Sequence, residues 1–203
     1  MTREGAATVP VAEPTTSPPW DPPELPVVDR LGCGPRQADP GGVQRFRVAA
    51  ARLSEHAGPY RVDPTGLALA AFAEVVAVWS GQRRFSLPVG ADRLLDVEVT
   101  GQVPRGRRIE QLTQALRNAT RSRADRDADT GVVAFTTDAG APPAAALVCH
   151  AELAGEELLV TWTIRAGVFP VELPAAMAEA FGELLDGLAT THEPWRASDL
   201  VGP

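Results

Sequence analysis

The chain contains no lysine; all 19 of its basic residues are arginine. We read that as the mark of a GC-rich coding sequence and attach no function to it. Positive charge is in deficit overall. Against 26 acidic residues the net charge is -7, with a pI near 5.0. That balance argues against sequence-independent binding of nucleic acid, which needs a basic surface to displace counterions. Cysteine is scarce as well. Cys33 falls in an expected loop and Cys149 in an expected strand, so a reduced, cytoplasmic protein is the expectation. No apolar run reaches the roughly 18 to 20 residues of a membrane span, and no signal-peptide core is visible. Metal-ligand spacing, a phosphate loop and a G-x-S-x-G elbow are all missing. No metal and no directly bound cofactor is therefore expected.

What is present is an ordinary globular composition, 44% hydrophobic and 22% charged, in a chain of 203 residues. That length supports one domain with a real core. Residues 1–42 are rich in Pro, Gly, Ser and Thr. Pro22, Pro23 and Pro26 keep that part out of a helix interior or a central strand, so it reads as an extended arm whose apolar residues pin it to the core. Residues 43–203 read as the folded unit.

The folded unit alternates strands and helices. Gln44 to Ala49 reads as a strand leading into a short helix that ends near Gly58. Asp63 or Thr65 caps the next helix, over about 64–80, which is apolar nearly all round and carries one charge, Glu74. Arg84 to Pro88 and Leu94 to Thr100 read as strands. In the second of these Leu95, Val97 and Val99 alternate with Asp96 and Glu98. Residues 106–123 form an amphipathic helix with Ile109, Leu112, Leu116 and Ala119 on one face. Gly131 to Thr136 is a strand. Ala144 to Leu153 and Leu158 to Arg165 form a hairpin around Ala154-Gly155. A last helix follows Pro174, with a stripe of Met177, Phe181, Leu184, Leu185 and Leu188, and Trp195 folds back as an anchor. The expected class is α/β (α+β), a mixed sheet with helices packed on it.

Leu67 to Gly81, LALAAFAEVVAVWSG, resembles a helix of the condensation and heterocyclisation domains of nonribosomal peptide synthetases, often "LLAAFAEVLARWSG". The similarity runs from about Trp20 to Trp195. WDPPELPVV resembles the segment that joins the two lobes of those domains. PVGADRLLDVEV is similar to "VGDFTSLLLLEV", with Ala91, Asp92 and Arg93 in place of the Asp-Phe-Thr core. Val132 to Thr137, VVAFTT, resembles "PVVFTS". LVCH at Leu147 to His150 stands where the family reads "VWLDH", and LLVTWTIRAGVFP resembles "LLLNWDAVEGLFP".

The resemblance implies the C-terminal lobe of a truncated heterocyclisation-type domain, with a chloramphenicol-acetyltransferase-like half fold. The HHxxxDG signature, or DxxxxD in cyclising members, would sit in a first lobe, and neither fits before Leu67. In cyclising members the Thr of "FTS" and the Asp of "LDH" are implicated in ring closure. Here Thr136 is kept and Cys149 replaces the carboxylate. A thiol with a pKa of about 8.5 is mostly neutral at pH 7 and makes a poor proton shuttle. The implied role is accordingly non-catalytic. The chain would dock a peptidyl carrier protein, presenting the carrier's phosphopantetheine arm, and recruit a trans-acting tailoring enzyme, a flavoprotein being the natural guess. The alternatives are a residual enzyme acting on a carrier-bound thioester through Thr136, Cys149 or His150, and a purely structural relic.

Cys149 and His150 are adjacent, yet in a strand they point to opposite faces and cannot act as a dyad. Cys149 shares a core-like face with Leu147, Ala151 and Leu153. His150 shares the other face with Val148 and Glu152, and reads first as a solvated or structurally hydrogen-bonded histidine, with a His-Glu pair as the alternative. His56 and His192 read as isolated surface residues. Arg105, Arg107, Arg108, Arg117, Arg121, Arg123 and Arg126 lie on or beside one helix. They read either as a solvated face or as a landing site for an acidic partner. For the second reading the candidate contacts are Arg105, Arg108, Arg117 and Arg121, with Trp162 and Phe169 on a second surface. A missing first lobe would leave an apolar face to be covered by the arm, a second copy in a homodimer, or a partner.

Overall fold

The computed structural model describes residues 20–28, 40–58, 60–91, 93–118, 132–137 and 145–200. Its frame is a six-stranded sheet in the order β1-β6-β5-β4-β2-β3. The strands are β1 (Pro40–Ala49), β2 (Arg84–Val89), β3 (Arg93–Glu98), β4 (Val133–Thr136), β5 (Leu147–Ala154) and β6 (Glu157–Arg165). β4 runs parallel to both β2 and β5, and the outer pairs are antiparallel. The mixed α/β class expected from the alternation of periods is the one observed.

The helices are α1 (Ala50–Ala57), α2 (Pro64–Ser80), α3 (Arg105–Arg117), α4 (Leu173–Thr190) and the single turn α5 (Glu193–Arg196). α2 has local reasons to begin and end where it does. Asp63 accepts hydrogen bonds from the Gly66 N–H at 2.7 Å and from the Thr65 hydroxyl at 2.8 Å. Pro64 occupies the first turn, where no N–H is needed, and Gly81 closes the helix at φ 70°. The helix touches β5 and β6 on one side and α3 and α4 on others. That enclosure is why it needs no polar face. All residues from Gly66 to Ala77 are buried, Glu74 among them.

Strand alternation sends Phe85, Leu87, Phe135, Leu147, Cys149, Val160 and Trp162 inward. Trp162 sits at the centre of an aromatic cluster, 5.3 Å from Phe72, 5.8 Å from Phe46 and 5.0 Å from Phe181 between ring centroids. The α4 stripe of Met177, Phe181, Leu184, Leu185 and Leu188 is buried as its spacing requires. Trp195 is buried, and its indole N–H donates to the Leu188 carbonyl at 2.8 Å. The segment Trp20 to Val28 lies against the sheet. Leu25 is buried, the Ser86 N–H donates to the Asp21 carbonyl at 3.0 Å, and the Val28 N–H donates to the Val168 carbonyl at 2.7 Å.

Three local expectations need correction. Leu153 does not share the burial of Cys149; it is 52% exposed, one residue from the end of β5 where the strand gives way to the turn into β6. The first strand starts at Pro40, inside the region read as the arm, because Gly42 to Ala49 find register partners on β6. His56 and His192 are not isolated. Their rings meet edge to face at 4.8 Å, where the start of α5 comes back over the end of α1.

Candidate functional site

Pairing β4 parallel to β5 sets Thr136 beside His150, and the antiparallel β5–β6 pair sets His150 beside Thr161. These three side chains form a polar row on the sheet face away from the helices. Thr136 is buried, while the His150 side chain is 25% exposed, with its Nε2 3.6 Å from a Glu152 carboxylate oxygen. Cys149 lies on the other face, fully buried opposite Trp162. Burial pushes its thiol well above the ordinary cysteine value, and the Trp162 side chain, acting the other way, does not offset this. Of the three residues weighed for residual chemistry, the structure brings Thr136 and His150 together and sets Cys149 apart. The position that the family resemblance gives to an acid is thus a core position in this chain.

The arginines of α3 are not a free basic face. Arg105 and Arg108 are buried at 6% and 4% exposure and both hold Glu74. This corrects their expected place on a partner surface. The physical reason lies in α2: a carboxylate in an apolar, enclosed helix must be paired to stay charged. A lone glutamate in an otherwise apolar helix was the available signal. The Arg105 guanidinium reaches both Glu74 oxygens and also donates to the Pro194 and Asp199 carbonyls. Arg108 donates to Glu74 and to the carbonyls of Thr100, Val103 and Ser198. The cluster ties α2, α3 and the segment after α5 into one unit.

The remaining helix arginines are more open. Arg107 pairs with Glu110 at 2.6 Å and lies over the Tyr60 ring at 5.4 Å. Arg117 pairs with Asp63 at 2.7 Å and keeps a side chain 48% exposed. Arg121, Arg123 and Arg126 lie outside the described residues, as do Ala119 and Cys33. Trp162 and Phe169 are corrected too, since both are buried, at 0% and 6%. Phe169 and Pro170 instead help line an open cleft of about 480 Å³ at the end of β6, with Val28, Arg165 and Val171. Among the described residues no group of three or more His, Cys, Asp or Glu could hold a metal ion, and no helix is long and apolar enough to cross a membrane.

The arrangement of sheet and helices is that of the condensation and cyclization domains of nonribosomal peptide synthetases. One similar structure is the EpoB cyclization-docking bidomain from Sorangium cellulosum, 22% identical with a TM-score of 0.68, matched over 88% of this chain and 47% of that one. The synthetase FmoA3, in its α-methyl-L-serine-AMP-bound form, is 22% identical with a TM-score of 0.68, over 89% of this chain and 25% of that one. The first condensation domain of the CDA synthetase is 17% identical with a TM-score of 0.60, over 85% of this chain and 50% of that one. The chain thus spans about half the length of the cyclization bidomain and of that condensation domain. No family model and no curated protein matches the sequence.

Proposed function

We propose that this chain is a non-catalytic, truncated heterocyclisation-type lobe of a nonribosomal peptide synthetase assembly line. It docks a peptidyl carrier protein, accommodates the carrier's phosphopantetheine arm, and recruits a trans-acting tailoring enzyme, with a flavoprotein as the first candidate. The observation that carries the non-catalytic part is the burial of Cys149. The side chain at the acid position is neutral, fully enclosed and turned away from Thr136. No proton shuttle can operate there. The fold likeness to a cyclization-docking bidomain and to a condensation domain supports the family part of this reading.

A second reading is favoured by one observation, the register that sets Thr136 beside His150 on the opposite face. A histidine near a threonine hydroxyl could relay a proton to a carrier-bound thioester. One experiment separates the two readings. The protein is mixed with loaded donor and acceptor carrier proteins and followed by intact-protein mass spectrometry, while carrier binding is measured by calorimetry. Carrier binding without a condensed or ring-closed product is the expected result. Product that disappears in Thr136→Ala and His150→Ala variants would establish the second reading. No carrier binding and no product would overturn the docking role.

A further inference from the structure

β1 is an edge strand. It pairs with β6 along Pro40–Ala49, and among the described residues its other edge makes no backbone hydrogen bond. Among the described residues this leaves the outer edge of a ten-residue strand open, which is long for a folded protein, since unpaired N–H and C=O groups in a row are a template for another strand. On the sheet face away from the helices this edge carries Val43, Arg45 and Arg47, all exposed. Neither arginine makes an ion pair with a described residue, although the protein as a whole is acidic. On the helix side the edge carries Gln44 and Phe46, and Phe46 packs against Phe181 and Gly182 of α4.

We propose that β1 is a docking edge for an extended acidic segment of a partner protein, which adds as a seventh strand with acidic residues at alternate positions opposite Arg45 and Arg47. Charge selects the occupant. A second copy pairing through its own β1 would bring like arginines together, which is unfavourable across a strand pair. The opposite edge, β3, does carry acids, but they are engaged. Glu98 holds Arg84 at 2.7 Å, and Asp96 accepts from the Ser86 hydroxyl at 2.6 Å. An acidic strand from another protein meets neither obstacle. Its main chain supplies affinity, and its alternating acids set the register. This inference rests on the edge and its charges and holds whether or not the assembly-line reading does.

The test uses the full chain and two synthetic probes, a short peptide alternating Glu and Thr and its Lys-Thr counterpart. Binding is followed by calorimetry, and amide exchange along β1 by mass spectrometry. The Glu-Thr peptide is expected to bind and to slow exchange in β1. The double variant Arg45→Glu/Arg47→Glu should weaken it by about tenfold and should now take the Lys-Thr peptide. Both arginines point to solvent, so thermal melts should show the variant folded. Affinity unchanged in the variant, or binding with no added protection in β1, would overturn the proposal. So would failure of the Glu-Thr peptide to bind, which would leave the arginines as charges that merely keep copies apart.

Discussion

Glu74 and Arg105, 31 residues apart in sequence, form a buried ion pair with both guanidinium edge nitrogens engaged at 2.8 to 3.1 Å. The pair joins the middle of α2 to the first residue of α3, and the same arginine holds α5 at the Pro194 carbonyl and the chain after it at the Asp199 carbonyl. Arg108 adds a second positive charge to one carboxylate. Backbone carbonyls turned toward the two guanidiniums accommodate the surplus.

Removing the carboxylate should be severe. Glu74→Ala leaves two buried guanidiniums facing each other, and breaking such a pair costs about 3 to 5 kcal/mol. For a chain of this length that corresponds to a fall in Tm of roughly 6 to 20 °C. Differential scanning calorimetry checks it. A fall of under about 1 kcal/mol would mean that water enters and screens the cluster.

Asp63 should contribute a pH-dependent share of stability. Burial disfavours its charge, but the Gly66 N–H, the Thr65 hydroxyl and Arg117 together outweigh that and hold its carboxyl below the ordinary aspartate value. A lowered folded pKa means the contribution is complete above the unfolded value of about 4 and is lost as pH falls through the folded one. Between pH 7 and pH 3 the urea midpoint of the native protein should therefore drop further than that of Asp63→Asn, which keeps a capping oxygen without the charge. Equal drops would remove Asp63 from the acid response. At neutral pH, Asp63→Ala should cost about 1 kcal/mol.

Restoring the acid that the family resemblance expects should not restore chemistry. Cys149→Asp would bury a carboxylate beside Trp162 with no partner, at a cost of about 3 kcal/mol or more. We expect a lowered Tm and no ring-closed product from loaded carriers. In a Cys33→Ser background, Cys149 should resist thiol reagents until the protein unfolds. Rapid labelling of the native protein would contradict its enclosure.

Gly106 holds a tight contact that any side chain would break. A Cβ there would meet the Tyr60 ring, which stacks on Trp195 at 5.7 Å. Gly106→Ala should cost about 1 to 3 kcal/mol through overpacking and should change the near-ultraviolet circular dichroism of the stacked rings. Gly101→Ala is the control, because among the described residues its added Cβ would meet only the Ser198 carbonyl oxygen, at an ordinary contact distance of 3.5 Å. Equal melting of the two variants would show that Tyr60 can move aside freely.

What the sequence determined by itself is the set of local elements. Asp63, Pro64 and Gly81 mark the ends of α2 because capping and left-handed closure depend on neighbouring residues alone. The alternation in Leu158 to Arg165 and the stripe from Met177 to Leu188 likewise carry their own periods, two and 3.6. The same alternation already placed Cys149 and His150 on opposite faces. Only the tertiary structure decided which faces meet. Thr136 lies beside His150 because β4 and β5 run parallel in one register, which no local window contains. The arginines of α3 looked alike along the sequence. Packing against α2 buried Arg105 and Arg108 on Glu74 and left Arg107 and Arg117 at the surface, because a helix has only one side turned toward a given neighbour. The basic edge of β1 arose in the same way. Arg45 and Arg47 mark an open border only because the sheet order leaves no described strand beyond β1.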